Sequence, residues 1–220
     1  MKTLPFFLLT LVLIPISVWS KTPGQKKFAE HKHNINVSVG YGVPSILRLY
    51  LRQNTNRQEL RVSGYGPLMA KLDYMISNRF SVGVNASYSY TQLAWMDDGY
   101  DPAIHGNRPY EYGIRASELS GIIRGNYHYL RRSKFDAYAG FGFGYGRVSL
   151  STYTLAPMNQ FYVRYNFPRP YSGEITTGLR YFPINRVGLY TELGIGKSWL
   201  LFNHFIPEAL IQMGVTIKFL

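Results

Sequence analysis

The sequence predicts an all-β fold: an eight-stranded antiparallel up-and-down barrel that crosses a membrane, with short turns at one end and long loops at the other. Three observations carry this. Runs rich in Val, Tyr, Phe and Thr alternate with Gly, Ser and charged residues at period two, the signature of strands with two unlike faces. After residue 20 no segment is apolar for the roughly 18 residues that a membrane helix needs, and no stretch sustains a helical period. One turn motif occurs three times, at Tyr74–Phe80, Tyr129–Phe135 and Tyr181–Val187. Each begins with an aromatic, ends on an apolar residue and carries polar turn residues with an Arg between them. These tight turns alternate with longer irregular stretches, as the short periplasmic turns and long outer loops of outer-membrane barrels do.

Composition narrows the class. The chain has 220 residues, of which 46% are hydrophobic and 16% charged. Average soluble domains carry about 25% charged residues. With 16% aromatics, 19 of those residues being Tyr, disorder is excluded. There is no cysteine, which excludes disulfides, thiolate metal sites and a cysteine nucleophile. A net charge of +12 by itself points towards nucleic acid, but the N-terminus gives a different address. Lys2, the apolar run Leu4–Trp19 and the small Ser20 resemble a secretory signal peptide, cut before Lys21. An exported chain does not meet nucleic acid. Residues 1–20 are thus read as signal peptide, 21–33 as a basic periplasmic tail and 34–220 as the barrel.

Eight strands are expected, near 34–42, 65–76, 80–92, 118–130, 135–150, 172–182, 187–199 and 208–219. Each supplies the roughly 9–11 residues of a crossing. Three turns and four loops place both termini on the periplasmic side. In the last strand Ala209, Ile211, Met213, Val215, Ile217 and Phe219 share one face, and Glu208, Gln212, Thr216 and Lys218 the other. In the fourth, Leu119, Ile123, Tyr127 and Tyr129 oppose Glu118, Ser120, Arg124, Asn126 and His128. In the run Gly140–Gly146 the glycines face inward and make room for long neighbours, while the phenylalanines face lipid. Periodicity alone does not tell a soluble barrel, apolar inside, from a membrane barrel, apolar outside. Aromatics at the strand ends and the apolar last strand favour the membrane.

At this point the chain resembles the small eight-stranded outer-membrane barrels of the OmpA/OmpX type. The resemblance rests on Gly-Pro-Leu-Met-Ala-Lys-Leu-Asp-Tyr at 66–74, Ser-Asn-Arg-Phe-Ser-Val-Gly at 77–83 and the end Gly214-Val-Thr-Ile-Lys-Phe-Leu220. It implies that Phe219, here followed by Leu220, serves as the signal read by the barrel-assembly machinery during insertion. It also implies the outer membrane of a Gram-negative cell.

A barrel of eight strands has room inside for side chains and little else. The inferred inward set is Lys71, Arg124, Arg180 and Lys218 against Asp73, Asp136, Glu174 and Glu192, a balanced polar core, because an unpaired buried charge is costly. No catalytic, cofactor or metal site is expected. Gly140–Gly146 has strand period and no following Lys-Ser/Thr, so it is no phosphate loop. His31-Lys-His33 is a poor metal site alone, and Asp97-Asp98-Gly-Tyr-Asp101 lacks the ligand spacing of a calcium loop. A lipid A-modifying enzyme needs Ser, His and carboxylate in reach at the outer rim. His128 is read instead as a hydrogen-bonded core residue near a periplasmic turn.

The first outer loop is read as a hairpin folded about Gln53–Asn56. Leu47, Leu49, Leu60 and Val62 would form its apolar face, with Arg48, Arg52, Arg57 and Arg61 on the other. Opposed arginines destabilise a hairpin, so it is a candidate contact for a partner or for lipopolysaccharide phosphates. The second loop, 93–117, is acidic and aromatic, and the third, 151–171, is rich in Tyr, Phe and Arg. The expected role is non-enzymatic. Outer loops would make protein or surface contacts, either in a stand-alone OmpX-like protein or in an accessory subunit of a larger outer-membrane complex for barrel assembly, secretion or nutrient uptake. A lipid A enzyme is the third alternative. Expected partners are outer-membrane lipid and lipopolysaccharide, the assembly machinery and other outer-membrane proteins.

Overall fold

The computed structural model describes residues 33–55, 59–101, 103–156, 164–198 and 209–219. Eight strands run in chain order: β1 (Ile35–Ser45), β2 (Arg61–Met75), β3 (Phe80–Asp101), β4 (Gly106–Arg131), β5 (Phe135–Thr154), β6 (Arg164–Tyr181), β7 (Val187–Ser198) and β8 (Ala209–Phe219). A helix, α1 (Ile46–Asn54), lies between β1 and β2. Each strand pairs antiparallel with its sequence neighbours, and β1 pairs with β8 from Ile35↔Phe219 to Ser45↔Ala209, closing the ring. Closure leaves no sheet edge around most of the wall.

The three short turns are at 76–79, 132–134 and 182–186. Ile76 donates its N–H to the Phe80 carbonyl at 3.0 Å, and Arg132 to that of Phe135 at 2.7 Å. The aromatics flanking the turns pair across the wall, Phe80 with Tyr127 (5.2 Å between centroids) and Phe135 with Tyr181 (4.9 Å). They form a girdle at one end of the barrel, the place where interface aromatics belong.

The two faces decide between the two kinds of barrel. Ile211, Met213, Val215 and Ile217 on β8, Leu189 and Leu193 on β7, and Val82 and Val84 on β3 are exposed on the outside. Phe143 is 68% and Ile123 71% exposed. Asn36, Ser38, Asn85, Asn126, Gln212 and Thr216 are buried inside. A water-soluble barrel would have these sets reversed, since burial of apolar surface drives its folding.

Two parts of the outer end differ from the sequence expectation. Strands β3, β4 and β5 have 22, 26 and 20 residues, about twice a membrane crossing. The segment 93–117 is therefore a continuous ladder, pairing from Leu93↔Ile114 to Asp101↔Gly106, and not a loop. Residues 151–154 and 164–171 of the expected third loop are likewise strand. Inside this flare, Leu93, Trp95, Ala116 and Val148 form an apolar plug, so the inward face changes from polar to apolar along one strand. The second correction concerns the expected hairpin. Leu47, Arg48, Leu49 and Arg52 lie on α1, which Ser45 caps by accepting the Arg48 N–H at 3.4 Å. Arg61 and Val62 belong to β2 and pair with Ala94 and Leu93 of β3. Leu60 precedes β2, and Arg57 lies outside the described residues. A nine-residue helix satisfies its own backbone, whereas an isolated hairpin with opposed arginines would not hold in water.

Candidate functional site

The interior is organised around Glu192 on β7. Its carboxylate accepts from Lys71 Nζ at 2.7 Å, from Arg124 Nη1 and Nη2 at 3.2 and 3.0 Å, and from the Tyr138 hydroxyl at 2.7 Å. Asp73 on β2 takes the other side of Arg124 (3.3 Å), the Asn126 amide (3.0 Å) and Arg180 of β6. Arg180 reaches Asp136 at 3.5 Å as well. Three cations and three carboxylates thus form one linked set, and Arg124 and Arg180 are 2% and 0% exposed. Tyrosines close the gaps between them. The Arg180 guanidinium lies 4.5 Å from the Tyr138 ring centroid, and Lys71 Nζ lies 4.9 Å from that of Tyr190.

Glycines make room for this bulk. A Cβ at Gly178 would strike the Tyr138 ring, and one at Gly142 would press on Ile122 and Arg124. Of the eight inward residues singled out in the sequence, six meet in this network. Glu174 is half-buried, and Lys218 is half-buried over the Phe182 ring at 5.3 Å. The alternation along β7 and β8 places Tyr190 and Gln212 on this inward face, as found; sequence reasoning missed Tyr138, which sits on the inward parity of β5 and was within reach of the same argument.

One part of the network has the geometry of an acid–base relay. Ser81 Oγ lies 3.0 Å from His128 Nε2, and His128 Nδ1 lies 2.6 Å from Asp136 Oδ1. This is the nucleophile, base and orienting carboxylate order of a hydrolase. Ser81 and His128 are buried, however, and Ser81 Oγ also accepts from the Asn126 amide at 3.2 Å. A reacting carbonyl needs open space beside the hydroxyl, and here that space is occupied by the network. The triad closes the turn end of the lumen.

Charges at the outer rim are placed differently. Arg61 of β2 donates to Glu111 of β4 at 2.9 Å, with most of its side chain in solvent. At the tip of the β3–β4 ladder Arg108 lies 2.7 Å from Asp101 and donates to the Tyr110 hydroxyl at 2.7 Å. Hydrogen bonds from the Tyr110 hydroxyl and the Ala103 N–H, with Arg108 alongside, hold the Asp101 carboxyl below the usual range. Among the described residues no three His, Asp or Glu side chains gather as metal ligands, and no helix is long and apolar enough to cross a membrane.

A closed ring of eight strands, apolar outside and ionic inside, decides the architecture. The chain has the fold of the small eight-stranded outer-membrane barrels, the OmpA/OmpX type. No protein-family model matches it, and no curated protein matches its sequence. Similar solved structures include the attachment invasion locus protein Ail of Yersinia pestis, at 11% identity over 86% of this chain and 99% of that one, with a TM-score of 0.42. The outer membrane protein OprG of Pseudomonas aeruginosa is similar at 10% identity over 86% and 96%, with a TM-score of 0.44. Neisserial surface protein A is similar at 14% over 87% and 99%, with a TM-score of 0.36.

Proposed function

We propose that this chain is a non-enzymatic integral barrel of a Gram-negative outer membrane, with both termini periplasmic and an outer rim that makes contacts. The inverted faces carry this reading: a continuous apolar wall outside a balanced, closed ionic core. Residues 1–20 act as the export signal and 21–33 as a periplasmic tail. Phe219, which faces outward at the end of β8, serves the assembly machinery. The lumen does not conduct, because Arg124, Arg180, Lys71 and Tyr138 fill its cross-section. Together they form a structural core.

The rim supports two versions of the role. In one the barrel stands alone and meets lipid and lipopolysaccharide. In the other it is a subunit of a larger outer-membrane assembly, a version favoured by Met96, Ile104 and Leu155, apolar side chains exposed on the flare beyond the wall. Extraction from native membranes in mild detergent, followed by the mass of the particle, tests both. One 25.2 kDa chain with its detergent would establish the solitary form. A large defined particle would establish the subunit, and recovery of the chain in the soluble fraction would overturn the membrane reading.

A further inference from the structure

The outward face of β4 and β5 changes character along its length. On the wall it carries Ile123 of β4 with Phe143 and Tyr145 of β5, all exposed. Beyond them the two strands bring six side chains together in three register pairs, Leu119↔Arg147, Ser117↔Ser149 and Arg115↔Ser151. Arg115 and Arg147 are exposed at opposite corners of this patch, and the three serines are half-buried. Arg164 of β6 pairs with Ser151 and adds an exposed third cation at the outer edge.

Strand geometry sets the height of the patch. Arg115 stands twelve residues along β4 from the girdle residue Tyr127, and Arg147 twelve residues along β5 from Phe135. At about 3.4 Å per residue and a tilt of about 40°, twelve residues climb about 30 Å. The apolar band of a membrane barrel is about 25 Å tall. Both arginines therefore stand just past the outer border of that band, where hydrocarbon ends and headgroups begin.

These two charges are not used inside the protein. Neither Arg115 nor Arg147 forms an ion pair among the described residues. Glu111, the outward carboxylate of β4, already accepts from Arg61 at 2.9 Å and from the Tyr153 hydroxyl at 3.1 Å. Arg115 is held in place as well. Its guanidinium lies 4.3 Å from the Tyr153 ring centroid, and the Gln92 amide donates to the Tyr153 hydroxyl at 2.8 Å. Tyr153 lies across Gly113, where a Cβ would strike its ring. Gly113 and Tyr153 pair farther out than Arg115 and Ser151, so this contact draws the Arg115 guanidinium away from Arg147.

Charge and place select the occupant. The two arginines are about 14 Å apart along the sheet, too far for one small anion to hold both. Guanidinium forks match phosphate oxygens, and the serines between offer hydroxyls to a sugar. The surface directly below is apolar and faces lipid, so the bound molecule continues into hydrocarbon, as a soluble anion or an acidic peptide does not.

We infer that Arg115, Arg147 and the serines beside them bind the headgroup of one outer-leaflet glycolipid bearing two phosphate groups, its acyl chains lying along Ile123, Phe143 and Tyr145. The inference rests on the membrane reading and turns its general lipid contact into a defined site.

The test refolds the full chain in a mild nonionic detergent and reads bound lipid by native mass spectrometry. Three probes are titrated: lipid A with two phosphates, lipid A with one, and phosphatidylglycerol. Half-saturation is expected at a several-fold lower concentration for the doubly than for the singly phosphorylated lipid A, and about tenfold lower than for phosphatidylglycerol. Arg115→Gln with Arg147→Gln should weaken the doubly phosphorylated lipid about tenfold and bring the three probes together. Arg132→Gln with Lys134→Gln, at the opposite end of the barrel, should change nothing. Heat-modifiable gel mobility reports that each variant is folded. Equal half-saturation for the three probes on the unsubstituted chain, which needs no variant, would overturn the site. So would undiminished binding by the folded Arg115/Arg147 variant. A chain that stays in solution without detergent would overturn the membrane reading itself, whereas failure of the site alone leaves a folded barrel that requires detergent.

Discussion

The lower lumen and the outer flare are both rich in charge, yet the same residue types do opposite work in them. Around Glu192 the charges are sealed from solvent, and Glu192 and Asp73 each hold two cations. On the flare the arginines of the Arg61–Glu111 and Arg108–Asp101 pairs remain more than half exposed. Burial, not the count of ion pairs, sets what each pair contributes. An exposed pair is screened and its members are already solvated. A buried one must be complete, because a lone charge left behind has no water to turn to.

The largest effect expected from this difference is at Glu192. Glu192→Ala strands Lys71 and Arg124 together and should cost about 3–5 kcal/mol in urea unfolding from vesicles. A loss below 1 kcal/mol would show that water reaches the network. Next is the outer wall. Phe143→Arg places a charge on the apolar face and should cost about 2–4 kcal/mol near the bilayer midplane, read by the same unfolding assay. An unchanged midpoint would place Phe143 outside hydrocarbon.

Smaller is the exposed counterpart on the flare. Glu111→Ala breaks the Arg61 pair and should change stability by less than about 1 kcal/mol. A loss as large as that at Glu192 would remove the contrast. The smallest effect is local and depends on pH. The Asp101 carboxyl titrates below its usual value in the fold, so its contribution is present above the unfolded pKa of about 3.9 and is lost as pH falls through the lower folded value. Relative to the intrinsic exchange rate at each pH, amide protection at the β3–β4 tip should fall under such acid, and Asp101→Asn should abolish that fall. Protection that is constant across this range in the unsubstituted chain would contradict the assignment.

The same contrast explains what could be read from the sequence. Along the membrane wall one face meets hydrocarbon and the other a polar lumen, so Val82, Val84 and Tyr88 alternate cleanly with Ser81, Asn85 and Ser87, and the strands were legible. Beyond the wall the outer face of β3 and β4 meets water while the inner face packs Leu93 and Trp95. The polarity is then reversed, and the ladder from 93 to 117 reads as a loop. Helix α1 was hidden because Leu47 and Leu49 fit period two over too few residues to reject it. The opposed arginines of that hairpin were the warning. Within the lumen the charged residues were visible by parity. Their partner Tyr138 was not, since Tyr suits a membrane interface equally well.

The absence of cysteine makes one measurement direct. Single cysteines placed along β8 from Ile211 to Ile217 can each carry a nitroxide in reconstituted vesicles, with collision by oxygen and by a water-soluble nickel chelate read at every position. The account predicts alternation of period two: Ile211, Met213, Val215 and Ile217 open to oxygen and closed to the chelate, with Gln212 and Thr216 closed to both. Chelate access at Gln212 and Thr216 would mean a water-filled pore, and chelate access at Met213 and Val215 would mean that the apolar wall does not lie in a membrane.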